Sequence, residues 1–234
     1  MGMTVWVHSG ELRLGSLLLA FAVTSAARAA TLEVRVVDEQ GRPIENVAVY
    51  ATPAHGAGEH DGTGIAADVP AAPKALMDQQ RLQFVPHLLV VQSGTSVTFP
   101  NSDNVSHHVY SFSETKTFEL PLYKGDVYPP VMFEQPGIVV MGCNIHDGMI
   151  GYVVVVDTPH FGRTNERGIV SIEGVPSGDY NVAAWTPRVR PSGLPAAQQV
   201  GVTEQGTAEA EVRITGRLAP PHQHGASSLT WERY

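Results

Sequence analysis

Between residues 82 and 156, short apolar runs follow one another closely, each ended by a turn, and helical periodicity is scarce. The pattern predicts about eight strands, at 82–84, 88–92, 96–100, 108–112, 117–120, 131–133, 137–143 and 151–156. Ser93-Gly94 and Gln135-Pro136-Gly137 supply turns between them. So many short strands within about eighty residues fit a Greek-key sandwich. The 23 glycines and 17 prolines of the 234-residue chain agree with an all-β fold rich in turns.

The flanking sequence repeats the theme. Residues 31–37 alternate, with Leu32, Val34 and Val36 on one face and Glu33 and Arg35 on the other, as in a half-buried strand. A turn at 38–43 leads to a second strand at 46–50. Further strands are expected at 169–172, 180–185, 198–202 and 208–214, which together make a sandwich lacking two strands. The two at 31–50 can complete it. The economical organisation is therefore an outer sandwich from 30–54 and 158–216, with 76–157 inserted as its own domain. Residues 55–75, without periodicity, read as a flexible linker, and 217–234 as a disordered tail.

Residues 1–29 read as a signal peptide. An apolar run at 14–23 precedes the small-x-small site Ala27-Arg28-Ala29, with cleavage expected near Ala29 or Ala30. That run of about ten residues is too short to span a bilayer, which takes about 20. The mature chain is accordingly expected to be periplasmic or secreted, with no membrane span. A net charge of −8 argues against nucleic acid or an anionic membrane as partner.

Export sharpens the meaning of the single cysteine, Cys143. Exported cysteines usually pair as disulfides, and this one has no partner within the chain. It is either a buried, inert core residue or a metal ligand. Its neighbours bear on the choice: Cys143, His146 and Met149 stand at C-x-x-H-x-x-M spacing, and the pair His107-His108 lies upstream after Asn101-Ser102-Asp103. One thiolate, two imidazoles and a thioether are the donor types of a blue-copper electron-transfer site. Cys143 would end the 137–143 strand, with Val139 and Met141 on its face. On a strand His107 and His108 must point to opposite faces. Met141 and Met132 are alternative sulfurs, His87 a further histidine, and His222 and His224 could bind metal weakly.

The middle region resembles the cupredoxins, the plastocyanin and amicyanin superfamily of type 1 copper proteins. The resemblance rests on the segment from Asn101 through Asp103 to His107 and Val109, on the loop Gly142 to Gly151 with its short, amicyanin-like spacing, and on Phe84-Val85-Pro86 with the strands after it. It implies one copper ion, with His107, Cys143 and His146 as equatorial ligands, Met149 as axial ligand, and His146 near the surface within an apolar patch. The outer sandwich resembles the carboxypeptidase regulatory-like, transthyretin-like fold, through residues 36–44, Thr164 to Gly168 and Val175 to Tyr180. The whole also resembles bacterial methylamine-utilisation or plastocyanin-like proteins.

These resemblances imply an electron carrier between redox protein partners rather than an enzyme. A copper-holding or delivery protein uses the same ligands, and an interaction module would use the fold alone. A multicopper oxidase or nitrite reductase would need further histidine clusters, and no H-x-H pair occurs in strand context.

Overall fold

The computed structural model describes residues 30–54, 73–125 and 128–220. The expected signal segment, most of the expected linker and residues 221–234, with His222 and His224, lie outside them. The chain begins with β1 (Ala30–Val37) and β2 (Ala48–Pro53). The middle stretch contributes β3 (Lys74–Leu76), β4 (Asp78–Gln79), β5 (Phe84–Val85), β6 (Leu88–Gln92), β7 (Thr95–Thr98), β8 (His107–Ser113), β9 (Lys116–Tyr123), β10 (Val131–Phe133), β11 (Gly137–Cys143) and β12 (Ile150–Val156). The chain then forms β13 (Phe161–Arg163), β14 (Ile169–Val175), β15 (Gly178–Trp185), β16 (Gln198–Val202) and β17 (Thr207–Arg213). The fold is all-β.

Early and late strands assemble together. A three-stranded sheet runs β14-β1-β17 and a four-stranded one β13-β2-β15-β16. The alternation of β1 does the work expected of it: Leu32, Val34 and Val36 are fully buried in an apolar cluster with Val49, Val182 and Ile214, while Arg35 is exposed. Each such side chain contributes roughly 1.5–3 kcal/mol of burial. The long-range closure is polar as well. The Thr164 hydroxyl accepts from the Val47 N–H at 3.0 Å and donates to the Ile44 carbonyl at 2.8 Å.

The middle strands form a five-stranded sheet, β6-β12-β11-β8-β9, and a three-stranded one, β10-β7-β3. Between them lies a second cluster that includes Phe84, Phe99, Val109, Phe133, Val139, Met141, Cys143 and Met149. A third cluster joins the two halves: Ala48 of β2 is buried with Leu88, Val154 and Val156, and Tyr50, Phe161, Tyr152 and Trp185 pack around them. The Tyr152 and Trp185 rings lie 5.5 Å apart.

Three expectations need correction. The predicted 82–84 strand is mostly a turn: Arg81 and Leu82 have φ of 54° and 61°, and pairing starts only at Phe84. Leu82 is exposed, so its apolar side chain marked no core face. The segment read as linker up to residue 75 ends earlier, because Lys74–Leu76 pairs in parallel with β7; a strand of three residues is too short to show alternation. The segment read as tail remains attached through 220, since Arg188 and Ala219 exchange two hydrogen bonds, at 2.7 and 2.9 Å, and Leu218 packs on the outer core.

Gly168 is required where it stands. Its φ is +71°, and a Cβ there would meet the Val36 carbonyl oxygen at 2.6 Å, the backbone that β1 presents to this turn. Gly168→Ala is expected to cost more than about 2 kcal/mol. Gly41→Ala, at φ +76° with open space around it, should cost about 1 kcal/mol. Urea unfolding of the two variants checks the ranking.

Burial holds the His160 imidazole below its ordinary value. The folded chain therefore takes up this proton less readily than the unfolded one. The stability it contributes is complete above pH ~6.5 and is lost as pH falls below that. An NMR titration should place the His160 midpoint below 6.5, and His160→Gln should flatten the acid-side decline measured by denaturation.

Candidate metal centre

Two strands and one loop build the site. On β11 the alternation places Val139, Met141 and Cys143 inward, 0%, 1% and 6% exposed, while Val140 between them is 45% exposed. Cys143 is therefore the last inward residue of the strand and remains part of the apolar core. On neighbouring β8 the same alternation buries His107 completely and leaves His108 on the other face. The two strands are paired directly, Cys143 with Val109.

The loop between β11 and β12 returns the chain tightly. The Met149 N–H donates to the His146 carbonyl, and the Cys143 N–H to the Met149 carbonyl, both at 3.2 Å. The Asn144 N–H donates to the His108 carbonyl at 3.0 Å, tying the loop to β8. Gly148 takes φ +83°, the left-handed conformation that such a reversal favours in glycine.

His107, Cys143 and His146 converge. Their Nδ1 atoms are 3.1 Å apart, and the Cys143 Sγ is 3.6 Å from each. All three donor atoms lie within 4.8 Å of one another. Met149 is brought into the same neighbourhood: its side chain is 2% exposed and belongs to the apolar cluster that holds Cys143. His146 is partly exposed between Ile145 and Ile150, whose side chains are 50% and 39% exposed. One thiol and two imidazoles within reach of a common point suit a soft or borderline ion, and the buried sulfur fits copper chemistry.

The other residues weighed from the sequence go elsewhere. His108 Nε2 is 2.7 Å from the Glu119 carboxylate, on the outer face of the sheet. His87 packs edge-on against Tyr152, with ring centroids 5.3 Å apart, near the junction of the two halves. Met141 is a core residue and Met132 is exposed.

A polar framework holds the segment before His107. The Asp78 carboxylate accepts from the Ser102 hydroxyl at 2.7 Å and from its N–H at 3.2 Å. The Asn101 side chain donates to the Val105 and Tyr123 carbonyls at 3.0 Å and accepts the Asp103 N–H at 3.0 Å. The Tyr123 hydroxyl donates to the Phe99 carbonyl at 2.7 Å and accepts from the Gln79 amide. Burial, chiefly, pushes the Tyr123 phenol up to about 12. Asp78 and Gln79, on a strand of two residues, carry no sequence signal of this role. Asp103 does: it stands four residues before His107, and its Oδ2 lies 2.9 Å from His107 Nε2.

The electrostatics favour uncharged imidazole at His146. Burial holds His146 below its ordinary value, and neighbouring His107 pushes the same way, while Asp103 opposes them. Burial alone would raise Asp103, but the Leu82 N–H, His107 and the Arg81 N–H hold its carboxyl below the ordinary range. A neutral histidine is the form that ligates a metal.

Cys143 should resist thiol reagents in the folded, metal-free chain, being 6% exposed. Alkylation by iodoacetamide is expected to be at least about tenfold faster in denaturant than in native buffer, as mass spectrometry would read, because reaction follows access to the thiolate.

No protein-family model matches the chain, and no curated protein does. Among solved structures it is similar to a purple cupredoxin from Nitrosopumilus maritimus, at 25% identity over 36% of this chain and 99% of that one, with a TM-score of 0.31. It is similar to an amicyanin variant in the reduced Cu(I) form, at 25% identity over 38% of this chain and 85% of that one, with a TM-score of 0.33. A copper-containing nitrite reductase from Thermus scotoductus is 20% identical over 53% of this chain and 28% of its own length, with a TM-score of 0.36.

Proposed function

We propose that this chain is a type 1 copper protein that carries single electrons between redox protein partners. The observation that carries the reading is the convergence of the His107 and His146 Nδ1 atoms with the buried Cys143 sulfur. Copper held there would alternate between Cu(I) and Cu(II), the soft thiolate suiting the first and the imidazoles both. His107, Cys143 and His146 are the equatorial ligands, and Met149 the weak axial one. His107 and Cys143 are anchored on packed, paired strands and the loop that carries His146 and Met149 is closed by backbone hydrogen bonds, which limits how far the donors move when the charge at the site changes.

The partly exposed His146, flanked by exposed Ile145 and Ile150, is the point of electron entry and exit. Exposed apolar side chains on either side of it in the sequence suit brief contact with a partner. Residues 76–157 form the copper domain, and 30–54 with 158–216 a scaffolding sandwich of the carboxypeptidase regulatory-like kind. Residues 1–29 direct the chain to the periplasm or outside the cell. We assign it no catalysis of its own.

Loading the mature chain with copper should produce the intense visible absorption of a copper–thiolate bond and a reversible one-electron couple. Cys143→Ser should abolish the band. His107→Ala should weaken copper binding by more than about 100-fold, since changes to residues behind the ligands alone cost 10–100-fold. A wild-type chain with neither band nor couple would overturn the proposal. The same ligands could serve copper storage or delivery. That alternative predicts rapid transfer of copper to a competing chelator and slow electron self-exchange, whereas carriage predicts the opposite.

A further inference from the structure

Asp103 touches more than His107. Its two oxygens accept the Arg81 N–H at 2.5 Å and the Leu82 N–H at 2.9 Å. Those two residues have φ of 54° and 61°, a conformation that non-glycine residues adopt at a cost of about 1–2 kcal/mol each. Successive N–H groups in such a turn converge on one point and make an anion-binding concavity. Here a carboxylate from 21 residues further along the chain fills it. The same carboxylate oxygen that receives Leu82 lies 2.9 Å from His107 Nε2.

Building on the copper reading above, we infer that Asp103 is a positioning residue that locks His107 in one tautomer and ties it to the Arg81–Leu82 turn. An ionised carboxylate accepts only, so the His107 Nε2 that faces it carries a proton. That leaves Nδ1 facing Cys143 and His146. His107 is fully buried, so its ring is held in this orientation by Asp103 behind it. A carboxylate behind an imidazole ligand also raises its basicity, which favours the more positive oxidation state of a bound metal. The turn at Arg81 and Leu82 is thereby coupled to the site without supplying a ligand.

The test has a metal-free arm and a copper arm. In the metal-free wild-type chain, 15N NMR should find His107 almost entirely protonated on Nε2. Asp103→Ala should give a mixture of His107 tautomers, and the Arg81 and Leu82 amides should lose their hydrogen-exchange protection. Asp103→Asn, which keeps an acceptor and the side chain's shape, should retain the turn. It should bind copper about 10–100-fold more weakly than wild type and have a higher reduction potential. An unchanged His107 tautomer and unchanged amide protection in Asp103→Ala would overturn the inference. So would wild-type affinity and potential in Asp103→Asn. If wild-type chain fails to bind copper, the copper reading falls, while the tautomer and exchange measurements still decide the role of Asp103.

Discussion

Three lone-pair donors face one another in a largely apolar setting, and the surrounding structure is organised by that fact. Two imidazole nitrogens 3.1 Å apart, each 3.6 Å from a thiol sulfur, are poor company unless a proton or a metal lies between them. Buried polar atoms need partners, because leaving one unsatisfied costs about 1–3 kcal/mol. The chain handles the problem by fixing these groups on separate elements. Cys143 ends one strand, His107 begins the next, and His146 sits on a loop closed by its own backbone hydrogen bonds.

Everything that holds the donors in place is ordinary β-sheet chemistry applied at close quarters. Alternation on β8 and β11 turns His107 and Cys143 inward together. The polar framework of Asp78, Asn101 and Tyr123 then fixes the segment before His107. The outer four-stranded sheet grips the opposite face of the same five-stranded sheet through Leu88, Val154 and Val156. Strands β6 and β12 thus serve two cores at once, one on each face. That placement gives the outer four-stranded sheet a structural purpose: it covers apolar surface on one half of the sheet that supports the ligands.

Much of this was legible in the sequence because it rests on period-two patterns and local spacing. The limits of β6, β10, β11 and β16 coincide with the apolar runs that announce them. The return of 169–214 to the strands at 31–50 follows from counting strands, and the sheets pair as that count requires. The grouping of Cys143 with His146 was suggested by ligand types and spacing, whereas the choice of His107 over His108 came from the resemblance to the cupredoxins. Strands of two or three residues were not, since β3 and β4 are too short for alternation to register. The left-handed turn at Arg81 and Leu82 was hidden as well, because neither residue is one that favours such a conformation. It exists through a carboxylate supplied by Asp103, and no local pattern reports a long-range acceptor. The pairing of His108 with Glu119 depends on hairpin register across β8 and β9, which the sequence leaves open.

The most direct test of the central claim is X-ray absorption at the copper edge of the copper-loaded mature chain. The account predicts a first shell of one sulfur and two imidazole nitrogens at short range, with the sulfur lost in Cys143→Ser. A first shell of nitrogen and oxygen alone in the wild-type chain would contradict it.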